Sequence, residues 1–164
     1  SGYYQGSALQ LRDLLETVFL LGYFQTDRKL IAAWRKSDKK TRLKDFKPAK
    51  IREALGTRDG LTKEKRDKAY SLLCDLAGHP TYSGFRMLTP TPGGNANCGP
   101  FFAHTTMNAT LEELTKELVQ TGIVFTRFFD EKNSADEEIK NHFLGNFMKW
   151  GEKFYGKPPD LDTN

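Results

Sequence analysis

The stretch Leu11-Arg12-Asp13-Leu14-Leu15-Glu16-Thr17-Val18-Phe19-Leu20-Leu21-Gly22-Tyr23-Phe24 decides the fold class. Leu11, Leu15, Val18 and Gly22 recur every three to four positions, and Leu14, Leu20, Leu21 and Phe24 widen the apolar surface. That period belongs to an α-helix, not to a strand, whose side chains alternate every second residue. A helix apolar on most of its circumference has to be surrounded by others. The run is interrupted by Glu16 and Gly22 and falls short of the roughly 20 apolar residues a membrane span needs. It reads as a core helix over Ser7–Gln25.

Working outward, Thr26 or Asp27 can cap a second helix carrying Leu30, Ile31, Ala33 and Trp34. Ser37–Lys47 is highly charged and reads as a solvated helix or loop. Pro48 suits the first turn of a short helix bearing Ile51 and Leu55, with Gly56 as a left-handed cap. Arg58-Asp59-Gly60 is a turn. Thr62 is placed to cap a helix over Lys63–Ala77 with Ala69, Leu72, Leu73 and Leu76 as its stripe, ended by Gly78. A long helix beginning between His104 and Asn108 is expected to reach Phe129, burying Leu111, Leu114, Leu118, Gly122, Phe125 and Phe129. Ser134 to Glu137 forms a capping box, so a last helix should start at Ala135 with Ile139, Phe143, Phe147, Trp150 and Phe154 on one face.

These patterns predict an all-α bundle of five to six helices, with a long irregular loop over about 79–102. That loop holds Pro80, Pro90, Pro92, Gly93, Gly94, Gly99 and Pro100. A small hairpin pairing Phe85–Leu88 with Pro100–Phe102 is one reading of it. Residues 1–155 are expected to form one helical domain and 156–164 a mobile tail.

The chain has 164 residues, 38% of them apolar and twelve of them Phe. A domain of this length buries enough surface to fold without metals or disulfides. Its two cysteines, Cys74 and Cys98, make no disulfide framework and fit a reducing, cytoplasmic location. The start, Ser1-Gly2-Tyr3-Tyr4, lacks Met and a charged leader, as expected of a trimmed chain. Net charge is +4, unevenly spread. Residues 35–68 hold fourteen Lys/Arg against six Asp/Glu, leaving eleven against fifteen elsewhere.

Four groups are candidates for chemistry. Arg12, Asp13 and Glu16 put charges on an otherwise apolar helix. They outline either a polar pocket in the core or, more plainly, a salt bridge at the helix edge. The long loop carries His79, Tyr82 and Arg86, along with Asn95, Asn97 and Cys98. His79 also reads as a residue complementing a helix C-terminus. A small ligand is expected between this loop and the first helix. Cys98 and His104 lie close enough in sequence to form a nucleophilic pair, but no cysteine-protease signature surrounds them. Lys39, Lys40, Arg42, Lys44 and Lys47 form a basic stretch that reads either as a phosphate-contacting face or as a solvated one, since Asp38 and Asp45 interrupt it. No metal or other cofactor is expected. Glu138 and His142 are spaced as a surface ion pair, and the Glu-x-x-His pattern of di-iron bundles is missing.

The run Leu11 to Thr17, then Phe24-x-x-Asp27 and Trp34, then Tyr70, Leu73 and His79-Pro80-Thr81, resembles a group of uncharacterised bacterial helical proteins. That resemblance implies a helical bundle and a bacterial cytoplasmic origin, and it transfers no activity. More loosely, the chain is similar to the HEPN-type helical domains of toxin and phage-defence systems. Their ribonuclease members carry an Arg four to six residues before a His. The windows before His79, His104 and His142 hold no Arg, so only the fold is implied. Three functional expectations follow. The leading one is a non-enzymatic binding or interaction domain with a small-ligand pocket at Arg12, Asp13, Glu16, His79, Tyr82 and Arg86. The others are a nucleic-acid-binding or ribonuclease domain and a homo-oligomeric structural module.

Overall fold

The computed structural model describes residues 3–60, 64–130 and 132–156. Among these, eight α-helices and one π-helical segment form and no strand does, so the chain is an all-α helical bundle. The helices are α1 (Tyr4–Phe24), α2 (Lys29–Lys36), α3 (Lys39–Asp45), α4 (Pro48–Arg58), α5 (Glu64–Leu73), α6 (Tyr82–Arg86), α7 (His104–Thr126) and α8 (Ser134–Tyr155). The π-helical segment, Cys74–Gly78, follows α5 directly. The chain divides into two compact units, Ser1–Thr121 and Gly122–Asn164. Among the described residues no helix is long and apolar enough to cross a membrane.

In the first unit α1 is central, as its pattern requires. It buries Leu11, Leu15 and Phe19 in one cluster with Ile51 and Leu55 of α4 and Leu73 of α5. Leu20, Tyr23, Phe46 and Tyr70 close over that cluster. Each fully buried aliphatic or Phe side chain contributes roughly 1.5–3 kcal/mol, so this cluster dominates the unit's stability. The charges of α1 sit at its edge: Arg12 Nη2 lies 3.4 Å from Asp13 Oδ1 and its Nε 3.8 Å from Glu16 Oε1.

Several local expectations change. Gly56 is not a left-handed cap. It is buried inside α4, which runs on to Arg58, and the left-handed residue is Gly60 at φ 61°. The reason is packing. Leu55 lies 3.7 Å from where a side chain on Gly22 would begin, so the α4 backbone is held helical against α1 through this turn. Arg58 extends the tie, donating from Nη1 to the Gly22 carbonyl at 2.9 Å and from Nε to Asp59 Oδ1 at 2.6 Å. Thr62, the expected cap of α5, lies outside the described residues.

The expected hairpin at Phe85–Leu88 is replaced by α6. The hydroxyl of Thr81 accepts from the Gly84 N–H at 2.9 Å and donates to the Asp75 carbonyl, so a helix starts where a strand was expected. A single backbone bond, Asn97 N–H to the Leu88 carbonyl at 2.8 Å, crosses the loop. The prolines around it cannot donate to a ladder.

The apolar stripe of α7 also differs from expectation. Leu111 and Leu118 are each 52% exposed. The buried positions include Glu117 and Thr126 instead. In the second unit α8 starts one residue before the expected Ala135, because the Asn133 side chain accepts from the Ala135 N–H at 3.0 Å. Its aromatic face is a ladder of rings, Phe147 to Trp150 at 6.2 Å and Trp150 to Phe154 at 5.6 Å. No residue of α8 is fully buried, and Phe154 is 62% exposed. Gly122 and Phe143 are in close contact: a methyl group on Gly122 would fall within the Phe143 ring. Of the expected tail, residues 157–164 lie outside the described residues.

Candidate ligand-binding site

Tyr4, Ala8 and Leu11 share one face of α1, four and three residues apart. Ala69, Leu72 and Leu73 of α5 and Leu76 of the π-helical segment form a second apolar wall. The third wall comes from α7, whose Thr106, Ala109, Thr110, Glu113 and Glu117 recur at the helical period opposite the exposed leucines. Because these side chains are short near the helix start, the walls do not close. They enclose a cavity of about 340 Å³, with Met87 of the loop at one side. This lies within the range of small-molecule sites.

Two anchors hold the α7 wall. The buried phenol of Tyr4 accepts from the Ala103 N–H at 3.0 Å, just ahead of α7. Its ring also packs edge-on against Phe101 at 5.2 Å.

The chemically distinctive group of the cavity is Glu117. The residue is 8% exposed, and its Oε2 is buried with no hydrogen-bond partner. Burial, reinforced by the charge of Glu113 one turn away, pushes its carboxyl up to about 7. The nearby cation is engaged elsewhere: Lys116 Nζ lies 2.8 Å from Glu113 and 3.3 Å from Glu112. No Lys, Arg or His is among the cavity's lining residues. An unpartnered buried carboxyl is costly, and a ligand that donates a hydrogen bond to it removes that cost.

The residues expected to bind ligand do not converge on this cavity. Asp13 and Glu16 line a different cleft of about 580 Å³, together with Lys39, Arg42 and Lys47. Phe19, Leu20 and Ile51 also line it, with Trp34 and Phe46. Arg42 donates to the Ser37 carbonyl at 2.8 Å and lies 5.6 Å from the centre of the Trp34 ring. Lys40 and Lys44 are exposed and line neither space. Tyr70 sits near Glu16 and Cys74. Burial first, then hydrogen bonding to Cys74 and the charge of Glu16, push its phenol up to about 12. Arg12 stays in its edge ion pairs with Asp13 and Glu16.

The loop residues separate as well. His79 and Tyr82 are exposed and line none of these spaces. Arg86 lines a third hollow of about 250 Å³ beside Met87, Phe101 and Thr106. Cys98 is exposed, and His104 is also exposed, with its Nδ1 3.4 Å from the Asn108 amide nitrogen. Among the described residues no hydrogen bond joins Cys98 to His104. His142 neighbours the Asn146 amide at 3.4 Å.

Sequence reasoning missed Glu117. The available signal was the row Thr106, Ala109, Thr110, Glu113, Glu117, small and polar at helical spacing. Beside the stronger Leu111, Leu114, Leu118 stripe, that row reads as the solvated side. Compared with known proteins, the chain matches no family model, no curated protein and no solved structure.

Proposed function

We propose that the chain is a non-enzymatic binding domain that takes one small, largely apolar molecule between α1, α5 and α7. The observation that carries this reading is Glu117, a buried carboxyl with an unpartnered oxygen in a cavity whose α1 and α5 walls are largely apolar. A cavity of this kind gains binding energy from the apolar area it covers and direction from its few polar groups, the buried Glu117 carboxyl above all. Met87 supplies an unbranched, adaptable side chain at its rim. Tyr4, Ala8 and Leu11 of α1 and Met87 of the loop line this cavity, which supports a site between the first helix and the loop. No Cys or His lines the cavity beside Glu113 and Glu117, which supports binding over nucleophilic catalysis.

The test is titration with a neutral dye whose emission rises in apolar surroundings, against the native chain and Ala109→Phe. The added ring fills the cavity from the α7 wall. Saturable binding that Ala109→Phe abolishes, with the helical circular dichroism retained, supports the reading. Binding that survives the substitution counts against it.

A second reading has its own observation. Phe154 and Tyr155 are exposed, and both rings pack on Trp150 at the end of α8, an aromatic cluster suited to self-association. Light scattering across concentration tests it, and a mass that stays at one chain ends it.

A further inference from the structure

We infer that the cavity between α1, α5 and α7 selects an organic cation, an apolar body bearing one protonated amine, and seats the ammonium on Glu117 Oε2. The inference rests on the binding reading above and adds the chemical class. The lining discriminates among four ligand classes. A plain hydrocarbon leaves Oε2 as unpartnered as before. A carboxylic acid, once ionised, meets the carboxylates of Glu113 and Glu117 and no basic side chain. An alcohol supplies one neutral hydrogen bond. An ammonium supplies both a donor and the charge that balances a buried carboxylate, and charge-assisted bonds are roughly twice as strong as neutral ones.

The surroundings of Glu117 support this assignment. From α1 the only titratable group in the cavity wall is Tyr4, whose hydroxyl is bonded to Ala103. The walls from α5 and the π-helical segment are Ala69, Leu72, Leu73 and Leu76, and the loop contributes Met87. On α7 itself the charged neighbours are Glu113 and, paired with it, Lys116. A cation entering here therefore meets two carboxyls and no competing positive group in the lining.

Binding carries a proton balance. The Glu117 carboxyl is raised by burial to about 7, so near neutrality part of the protein holds it as the neutral acid. Seating an ammonium favours the carboxylate, and the displaced proton goes to solvent. Amine affinity consequently rises with pH, by about tenfold from about pH 6 to about pH 8, because one carboxyl titrating at about 7 goes from mostly protonated to mostly ionised over that range.

The experiment uses octylamine, octanol and octanoic acid with the native chain, Glu117→Gln and Glu113→Gln. Calorimetry at about pH 6 and about pH 8, in two buffers of different ionisation heat, reads affinity and proton release together. The inference predicts that octylamine binds at least tenfold tighter than the other two at about pH 8, with the stated pH dependence. Glu117→Gln should remove both the preference and the proton release, and Glu113→Gln should keep the proton release. Octanol or octanoic acid binding as tightly as the amine, or an amine affinity indifferent to pH, overturns the ligand class and leaves the cavity reading standing. Failure of all three ligands and of the neutral dye to bind the native chain overturns both. The native chain's own pH series decides the matter even if a variant does not fold.

Discussion

The phenol oxygen of Tyr4 meets the backbone of Ala103 twice, accepting from its N–H at 3.0 Å and lying 3.4 Å from its carbonyl. The two residues are 99 positions apart, and Tyr4 is 2% exposed. One side chain thus ties the start of α1 to the entry of α7, the two ends of the cavity wall. Tyr4→Phe keeps the ring and leaves the Ala103 N–H without its partner, at a cost of about 1–3 kcal/mol. Chemical denaturation should register that loss with an unchanged slope. Amide exchange at Ala103 should accelerate more than exchange in α4. Equal acceleration in both would mean that Tyr4 acts only through general packing.

Glu117 makes a prediction about stability without any ligand. Its carboxyl is raised in the folded chain to about 7, from an ordinary value of 4.5. The folded state therefore holds this proton more tightly than the unfolded state does. Its contribution is fully favourable below about pH 4.5 and is lost as pH rises through about 7, at most about 3 kcal/mol. Glu117→Gln should be more stable than the native chain at about pH 8, with the gap closing toward about pH 5. Thermal melts across that range read the difference. A native chain that gains stability relative to Glu117→Gln as pH rises would show that the carboxylate has a partner after all.

In the second unit, the close approach of Gly122 and Phe143 predicts a size limit. A methyl group at Gly122 collides with the Phe143 ring. Overpacking of this kind costs about 1–3 kcal/mol, partly offset by the roughly 1 kcal/mol by which Ala is the better helix former. Gly122→Ala should therefore destabilise modestly, and combining it with Phe143→Leu should recover most of the loss. A double-mutant cycle measures the coupling. Strict additivity would show that the ring turns aside without cost.

The basic stretch makes a prediction in the opposite direction from its composition. Only Lys39, Arg42 and Lys47 of its five candidates line a common cleft, and Asp13 and Glu16 line it too. A phosphate chain laid there meets carboxylates as well as cations. Binding to single-stranded RNA should therefore be weak, with a salt slope no steeper than about −2, corresponding to about three phosphates at most. A slope several times steeper would restore an extended phosphate-contacting face that includes Lys40 and Lys44.

What was legible in advance follows from how far each signal reaches. Leu11, Leu15 and Phe19 announce a helix with a core face through spacing alone, since the α-helical repeat is a local property of the backbone. The same holds for Ile51 with Leu55 on α4. Helix ends were less legible. Gly56 has the residue type of a cap and is instead packed inside α4, because Leu55 and Gly22 hold that turn against α1. For α6 the capping hydroxyl of Thr81 outweighed the strand-like look of Phe85–Leu88.

The candidate site divides along the same line. Spacing within single helices could pair Arg12 with Glu16, because residues four apart on a helix are neighbours wherever that helix lies. It could not tell which side of α7 would be buried. The leucine side carries the stronger pattern, yet the side with Thr106, Ala109, Thr110 and Glu117 lines the cavity. The all-helical class and the core face of α1 were determined by the order of residues alone, through short-range periodicity. The seclusion of Glu117, and the joining of Asp13 and Glu16 with Lys39 and Lys47 in one cleft, were decided only by tertiary structure. Both depend on which distant helices approach, and burial and the resulting electrostatics arise from that approach.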